Sequence, residues 1–398
     1  MLPAAAQEIR SQAPRSNADL AAAHDARATI DALSADLYRA MARGRGNMVL
    51  SPYSVGIALA MARAGAVGET ANQIDAVLHA TPEQDLSAGF NAIDQKLAER
   101  PGKYGMFGKT LEVELAIANR LWGQKDLVFE RAFLDELARD YGAGVQVVDY
   151  KTAAEGARST INDWVAARTR DHIKDLIPQG VIDAQTRLVL TNAIYLKAAW
   201  RKRFKDAVAG TFHRADGSNV RVKMMRLSET LGYEAGDGYQ AVRLPYAGGL
   251  SMILLVPRAG KLDSLERRLD GPTLRRAVNG LSDTLVKLTM PRFSFHSKAR
   301  LKDVLGELGM PIAFTSRADF SGMTSEEPLQ IADVIHEAFI AADEKGTEAA
   351  AAAAQLYMLS VVRLREVELT IDRPFLFLIQ DDETGAILFM GRVSDPAT

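Results

Sequence analysis

The sequence predicts an α+β fold built as one large domain. Helical periodicity dominates the first half of the chain and strand patterns dominate the second half. That order favours antiparallel sheets with separate helices over a wound parallel sheet. The chain has 398 residues, of which 47% are hydrophobic, so it can bury a sizeable core. No Ser- or Gly-rich tract separates two halves, and we therefore expect a single domain over residues 18–398.

The predicted helices begin after a segment that we expect to be disordered, residues 1–17, which is polar and rich in Ala and Pro. Residues 18–42 place apolar side chains at helical spacing. Ser51 and Pro52 form a helix start, with serine at the cap and proline at the first helical position. Further helical patterns cover residues 69–79, 81–99, 128–141 and 153–175.

The strand patterns begin after a glycine-containing segment at residues 102–110. This segment lacks the spacing of a phosphate-binding loop, because Lys103 stands where a glycine is needed, and we expect an ordinary loop. Apolar runs and alternating patterns then predict most of the sheet structure. The strands cover residues 111–117, 188–196, 239–257 (a hairpin turning at 247–249), 284–295, 329–342 and 374–392 (a second hairpin), and the two intervening helices cover residues 263–277 and 298–309.

Composition excludes several classes of protein. The formal net charge is −2, so no overall field favours nucleic acid or a membrane as a partner. The chain has no cysteine, which excludes disulfides, thiolate metal sites and a cysteine nucleophile. No run of about 18 apolar residues predicts a membrane span. The first residues lack an apolar signal core, so we expect either synthesis without a signal or numbering that starts after its removal.

Motifs of common enzymes and metal sites are missing. There is no His-Glu-x-x-His pair and no Gly-x-Ser-x-Gly elbow. His336 and Glu337 begin a zinc motif, but Phe339 and Ile340 follow where the second histidine should fall. His336 lies on the apolar face of a predicted strand, where a hydrogen-bonded core histidine is commoner than a catalytic one. We expect no enzymatic activity, no metal and no cofactor.

Residues 344–363 are unlike the rest of the chain. Glu344-Lys345-Gly346-Thr347-Glu348 precedes six alanines, Ala349–Ala354. Alanine is the best helix former and Thr347 could cap a helix, so composition alone favours a helix. A second interpretation is a loop whose small side chains can enter between two strands, where the sheet would satisfy its backbone groups. The segment by itself leaves both open.

Glu344–Ala354 resembles the hinge of an inhibitory serpin, in which a glycine, a threonine and a glutamate precede small residues. The other segments that resemble this family are residues 47–54 (its Asn-x-x-x-Ser-Pro-x-Ser), residues 191–200 (its Asn-Ala-x-Tyr-Phe-Lys-Gly-x-Trp), and residues 371–377 and 384–392 (its C-terminal signature). The second block departs from the family at Leu196 and Ala198. The blocks are collinear and cover about residues 25–398, so the chain is identified by resemblance as a serpin.

The resemblance implies a fold and three groups of functional residues, the hinge, the shutter and the breach. The fold is a single domain of mainly antiparallel sheets, about eight or nine helices and an exposed reactive-centre loop at about residues 344–365. The hinge comprises Glu344, Gly346, Thr347, Glu348, Ala349, Ala350, Ala351 and Ala352. The shutter, a polar cluster beneath the middle of the main sheet, comprises Ser51, Ser54, Asn192 and His336. The breach, where the loop first enters, comprises Trp200, Arg292 and Glu344, with arginine where the family commonly has lysine.

The resemblance also implies suicide inhibition of a serine protease. In the family the cut usually follows the residue about fourteen positions after the hinge glycine, which selects Ser360-Val361 and an elastase- or subtilisin-like target. Leu359-Ser360 would suit a chymotrypsin-like target, and Arg363-Leu364 a trypsin-like one. The alternative is a non-inhibitory serpin acting as a chaperone or carrier. The six alanines argue against it, because such serpins tend to carry bulky, charged or proline residues in the hinge.

We expect a monomer that is secreted or extracytoplasmic, and a cytoplasmic location stays open. A basic cluster could bind a polyanion or simply be a solvated strand end. It comprises Lys197, Arg201, Lys202, Arg203 and Lys205. The cluster is short and has no aromatic interleaving beyond Trp200, which favours the solvated strand end.

Overall fold

The structure is a computed structural model that describes residues 7–106, 108–345 and 365–397. The α-helices in these ranges are α1 Leu20–Met41, α2 Pro52–Arg63, α3 Gly68–Val77, α4 Leu86–Ala98, α5 Arg131–Tyr141, α6 Tyr150–Arg168, α7 Leu262–Arg267, α8 Gly271–Asn279 and α9 Lys302–Leu308. The strands are β1 Gln7–Ile9, β2 Met48–Leu50, β3 Gly102–Met106, β4 Lys109–Gln124, β5 Val145–Val148, β6 Leu188–Ala198, β7 Lys205–His213, β8 Asn219–Ala235, β9 Tyr239–Pro245, β10 Leu250–Pro257, β11 Ser282–Pro291, β12 Phe293–Arg300, β13 Ile331–Ala342, β14 Glu366–Thr370, β15 Phe375–Asp381 and β16 Ile387–Val393.

Local chemistry accounts for where the first helices begin. Asp19 caps α1 by accepting a hydrogen bond from the Ala21 amide. Ser51 caps α2 by accepting one from the Ser54 amide, and Pro52 occupies the first helical position, as predicted. Helix α2 is buried from Pro52 to Ala62 because its side chains are mostly small, so the surrounding elements can pack closely on every side.

The strands form two sheets. The main sheet has the order β1-β5-β4-β6-β13-β12. Strand β3 pairs with the first residues of β4, Lys109–Val113. The second sheet has the order β14-β11-β8-β9-β10-β15-β16-β2, with β7 paired to β8. One large apolar core draws on both sheets and on α1 and α2. A smaller core, which includes Trp122, Tyr150 and Ile161, lies where α6 packs on the main sheet.

A parallel seam runs through the middle of the main sheet, between β6 and β13. Its paired residues run from Leu188–Ile331 to Tyr195–Phe339, and each strand continues three residues further. Among the described residues the only other parallel pairs are β4–β5 and β11–β14. Parallel pairing is slightly less stable per residue than antiparallel pairing, so this seam is a weaker line within the sheet.

The described part of the chain confirms the α+β class and the predominance of antiparallel pairs. It holds nine α-helices, in agreement with the expected eight or nine. The two C-terminal hairpins also lie where the sequence predicts them, as β9–β10 and β15–β16. The reactive-centre loop lies, apart from Glu344, Lys345 and Arg365, outside the described residues.

The prediction of disorder over residues 1–17 is wrong for residues 7–17. Strand β1 pairs antiparallel with β5 and extends the main sheet at its edge. Beyond it, Arg15 contacts the Asn91 and Asp94 side chains, and the Ser16 amide donates to the Arg139 carbonyl. These partners lie more than 70 residues away in sequence, so they cannot be predicted from the composition of the segment.

Three other local predictions differ from the structure, and several strands were not predicted. Residues 102–106 are not a loop, because Gly102–Met106 pairs with the first residues of β4. The helix predicted over 153–175 ends at Arg168, and positive φ angles at Arg170 and Asp171 explain why it stops there. The helix predicted over 263–277 is two helices, since Asp270 caps a new one with its side chain. Strands β5, β7 and β8 were not predicted.

Candidate functional site

The breach forms where β13 ends and the chain turns towards the reactive-centre loop. Phe293 in β12 pairs with Ala342 in β13, so the preceding Arg292 lies beside Glu344 and the two side chains form an ion pair. The Glu344 carboxylate also accepts a hydrogen bond from the Ala207 amide of β7, 2.9 Å away. Glu344 thus joins the end of β13 to the second sheet.

Backbone contacts hold the first loop residues against the segment that follows β6. The Trp200 amide donates to the Lys345 carbonyl (3.2 Å) and the Phe204 amide donates to the Glu344 carbonyl (3.0 Å). The Trp200 indole N–H donates to the Asp343 carbonyl at 2.8 Å. The three residues predicted for the breach, Trp200, Arg292 and Glu344, are therefore brought together by the fold.

The Glu344 carboxylate is nearly buried, with 4% of its side chain exposed, whereas 41% of the Arg292 side chain is exposed. Burial by itself raises the pKa of Glu344, but hydrogen bonds from Arg292 and the Ala207 amide, together with the Arg292 charge, outweigh it and leave the pKa lowered. The carboxyl group is therefore ionised at neutral pH.

Sequence reasoning missed the aromatic support of the breach. The Trp200 ring stacks on the Tyr246 ring with centroids 4.0 Å apart and planes at 10°. Tyr246 is buried at the start of the turn between β9 and β10. Phe204 packs edge-on to the other side of Trp200, at 5.8 Å. The stack fixes the indole N–H that bonds to Asp343.

The shutter forms where α2 begins beneath the main sheet. The Ser51 amide donates to Nε2 of His336 at 3.0 Å, and the Ser54 amide donates to the Ser51 hydroxyl at 3.2 Å. Ser51, Ser54, Asn192 and His336 are all fully buried. Because Nε2 accepts a hydrogen bond, the imidazole is the neutral tautomer with its proton on Nδ1.

His336 belongs to a polar row that crosses three adjacent strands. It pairs in register with Asn192 of β6, and Asn192 pairs in register with Asn119 of β4. The side-chain amides of both asparagines and Nδ1 of His336 have no hydrogen-bond partner within the described residues. Asn119 was not predicted. The available signal was a polar residue inside a long apolar strand, as at Asn192.

Burial lowers the pKa of His336 from 6.5 to about 4. Its neighbours in the sheet, Asn192 and Ala299, carry no charge that would favour the imidazolium. At neutral pH the shutter is therefore uncharged, and the polar side chains on the two sides of the seam are neutral.

The structure does not describe the other predicted site residues. Gly346, Thr347, Glu348, Ala349, Ala350, Ala351, Ala352, Leu359, Ser360, Val361, Arg363 and Leu364 lie outside the described residues. In the basic cluster, Lys202 lies 3.7 Å from the Glu229 carboxylate and Arg203 lies 3.6 Å from that of Asp206, as expected for a solvated strand end.

The described ranges contain neither a candidate metal site nor a membrane-spanning helix. His, Asp and Glu side chains in residues 7–106, 108–345 and 365–397 nowhere gather in a group of three that could hold a metal ion. A lipid bilayer could not be crossed by any of the helices found in those residues.

The sequence is similar to those of known proteins over most of its length. Residues 28–396 match the family model described as Serpin (serine protease inhibitor). A serpin-like protein of Thermococcus kodakarensis is 37% identical over 374 residues, which are 92% of this chain and 85% of the relative. Leukocyte elastase inhibitor A of Rattus norvegicus is 35% identical over 364 residues, which are 88% of this chain and 93% of the relative.

The fold also resembles solved structures. The crystal structure of tengpin, a thermophilic serpin in the native state, superimposes with a TM-score of 0.84 at 25% identity and covers 98% of this chain and 100% of that one. The layout of sheets and helices described above is thus the layout of a serpin.

Proposed function

The chain belongs to the serpin family, and we propose that it is an irreversible suicide-substrate inhibitor of a serine protease. The observation that carries the proposal is the parallel seam between β6 and β13, with the hinge leaving the end of β13. A chain that turns back at Glu344 runs opposite to β13, and therefore opposite to β6 as well. Entering the seam would replace one parallel pair by two antiparallel pairs, which are the more stable kind.

The proposed reaction begins as ordinary proteolysis. The loop binds as a substrate, the hydroxyl oxygen of the protease serine attacks the Ser360 carbonyl carbon, and the Ser360-Val361 peptide bond breaks. Val361 leaves as a new amino terminus, and Ser360 stays bound to the protease as an ester. The freed hinge then enters the seam and carries the protease with it before water can hydrolyse the ester.

The hydrogen bonds gained support this order of events. A strand of ten to fourteen residues forms about that many new ladder bonds, each worth about 1 kcal/mol net, or on the order of 10 kcal/mol in total. This equals the whole stability of an ordinary domain, about 5–15 kcal/mol. The uncut molecule is then metastable and persists for kinetic reasons. Fourteen residues also span roughly 45 Å, enough to move a bound protease across the domain.

The alanines support the same mechanism from the sequence. A strand that enters between β6 and β13 must fit against side chains that already pack on both faces of the main sheet. Ala349–Ala354 brings one methyl group per residue, alternating between the faces. A bulky or charged residue at these positions would have to displace packed atoms or be buried unpaired.

Incubation of the intact protein with a panel of serine proteases tests the proposal. We expect a complex that survives denaturing electrophoresis with an elastase- or subtilisin-like enzyme, and a released peptide beginning at Val361 by mass spectrometry. A peptide beginning at Ser360 would indicate a chymotrypsin-like target, and one beginning at Leu364 a trypsin-like target. Cleavage by every protease without any stable complex would contradict inhibition and favour the chaperone or carrier alternative.

The relatives give a direction for the first choice of target, since one of them is named an elastase inhibitor. The proposal includes a monomeric inhibitor that acts outside the cytoplasm. Size-exclusion chromatography and fractionation of the source cells would test these two parts separately from the inhibitory activity.

A further inference from the structure

A second site lies apart from the breach and the shutter, in a cavity of about 170 Å³ beside β4. The charged and aromatic residues in its wall include Arg15, Asp94, Arg120, Trp164 and Arg168. They come from the N-terminal segment, α4, β4 and α6, and the wall is completed by residues of α2 and the end of α5.

The cavity occupies a gap in the edge of the main sheet. On the side away from β6, strand β4 pairs with β3 over Lys109–Val113 and with β5 over Trp122–Gln124. The stretch between them has no strand partner on that side within the described residues, and it includes three residues that line the cavity, Ile117, Asn119 and Arg120. Backbone N–H groups of an unpaired strand edge are available hydrogen-bond donors.

The charges in the wall do not balance. Its one carboxylate, Asp94, is already engaged on both oxygens: Arg15 donates to Oδ2 at 2.7 Å and the Tyr53 hydroxyl donates to Oδ1 at 3.1 Å. Arg120 lies 4.0 Å from the Glu8 carboxylate and receives a weaker favourable charge from Asp94, whereas Arg168 forms no ion pair among the described residues. The Arg168 guanidinium is thus left without a close counter-charge among the described residues, and that of Arg120 is only partly compensated.

Arg120 is the more buried of these two cations. Its side chain is 17% exposed, and its Nε–H is buried without any hydrogen-bond partner in the described part of the chain. Burial lowers the pKa of Arg120, and the positive charges of Arg168 and Arg10 lower it further. A buried donor of this kind costs free energy unless an acceptor reaches it.

Both guanidinium groups lie close to one aromatic ring. The Arg120 and Arg168 Cζ atoms lie 5.6 and 5.4 Å from the Trp164 ring centroid. Trp164 in turn packs edge-on to the buried Trp122 ring at 5.4 Å. Each guanidinium group is therefore within cation–π range of a ring that is itself packed against a buried tryptophan.

We propose that this cavity binds a small oxyanion, with Arg120 and Arg168 as its charged ligands. Guanidinium groups match the geometry of phosphate and carboxylate through paired N–H donors. The cavity is smaller than the roughly 300–1,000 Å³ typical of drug-sized ligands, so the ligand is an ion of a few heavy atoms rather than a nucleotide or a polysaccharide. The site is independent of protease inhibition.

Isothermal titration calorimetry of the full-length, uncut protein with inorganic phosphate tests the site, at constant ionic strength maintained with sodium chloride. We expect saturable binding with a Kd of about 1 mM or tighter. Acetate in a parallel titration distinguishes a carboxylate ligand from a phosphate ligand. Quenching or shifting of tryptophan fluorescence should saturate at the same phosphate concentration, and Trp164→Phe should remove that change.

Arg120→Gln and Arg168→Gln should each weaken binding at least about tenfold, since each removes a charged ligand. Arg276→Gln is the matched control, because Arg276 is an exposed arginine on α8. Arg168 is also exposed, so its variant keeps the test valid if the Arg120 variant does not fold. Lack of saturable binding of either anion to the wild-type protein, or equal affinity in all three folded variants, would overturn the proposal.

Discussion

Acidification should weaken the native molecule through His336, and His336→Gln should remove that weakness. In the fold the imidazole is neutral and accepts a hydrogen bond from the Ser51 amide. A protonated imidazole would present an N–H to that amide, so the bond would be lost and a charge would be buried. Glutamine offers an acceptor oxygen to the same amide and carries no charge at any pH.

The size of the effect follows from the pKa of His336, which burial lowers to about 4 from 6.5. The unfolded chain takes up the proton near pH 6.5 and the folded chain only near pH 4. The stability that depends on a neutral His336 is therefore fully present above about pH 6.5. It is lost progressively as the pH falls from 6.5 to 4. At about 1.4 kcal/mol per tenfold change, the loss amounts to about 2 kcal/mol at pH 5 and about 3 kcal/mol at pH 4.

The assay must separate His336 from other groups. Burial raises the pKa of the Asp31 carboxyl to about 6, so the folded state binds its proton first and Asp31 stabilises the fold as the pH falls from 6 towards 3.8. This partly offsets the His336 effect in the wild-type protein. The difference between variant and wild type cancels Asp31 and isolates the imidazole.

We therefore compare the first urea-unfolding transition of the native protein at pH 7.5 and pH 5 in wild type, His336→Gln and His213→Gln. His213 is an exposed histidine at the end of β7 and serves as the matched control. The His336 variant should gain about 2 kcal/mol relative to wild type between the two pH values, and the control should follow wild type. A constant difference between His336→Gln and wild type across this range would refute the reasoning.

Three further predictions concern the hinge and the breach. Thr347→Arg or Ala351→Pro should abolish the stable protease complex while cleavage continues, because a charge or a proline slows insertion of the hinge relative to hydrolysis; the control Thr347→Ser should still form complex, and unchanged inhibition by either disruptive variant would contradict this account. Glu344→Ala should lower the free energy of unfolding in urea by about 1–2 kcal/mol, because the Ala207 amide loses its acceptor while the half-exposed Arg292 returns partly to solvent. Glu344→Gln should lower it less. Equal losses in the two variants would argue against a role for the Ala207 amide. Protein nicked between Ser360 and Val361 should melt at a higher temperature than intact protein in scanning calorimetry, and an equal or lower temperature would show that no stabilising insertion follows cleavage.

The sequence carried enough information to predict the parts of the site that depend on local chemistry. Ser51 and Pro52 specify the start of α2 by capping, and the strand pattern predicted over residues 329–342 places His336 inside β13, where Asp333–Ala338 are all buried. Resemblance to known serpins then placed Trp200, Arg292 and Glu344 in one cluster. The ion pair and the Trp200 contact with Asp343 agree with that placement.

The parts that were missed depend on contacts between distant segments. Asn119 joins the polar row only because β4 pairs with β6 in a register that puts it opposite Asn192. Most residues of β7 are exposed or half-exposed, so its sequence lacks the apolar alternation that marks a half-buried strand. Tyr246 supports Trp200 from a turn 46 residues further along the chain, and nothing in the turn itself reveals the ring it stacks on.

The three-residue strand β1 is the edge strand of the main sheet on the β5 side. With β1 in place that edge is short and is followed by the charged Arg10, and edges of this kind discourage strands of other molecules from adding on. Without it, the four buried residues of β5 would offer free amides and carbonyls next to apolar side chains. Protein shortened to begin at residue 18 should therefore self-associate. Purification tags belong where they leave residues 7–17 able to dock.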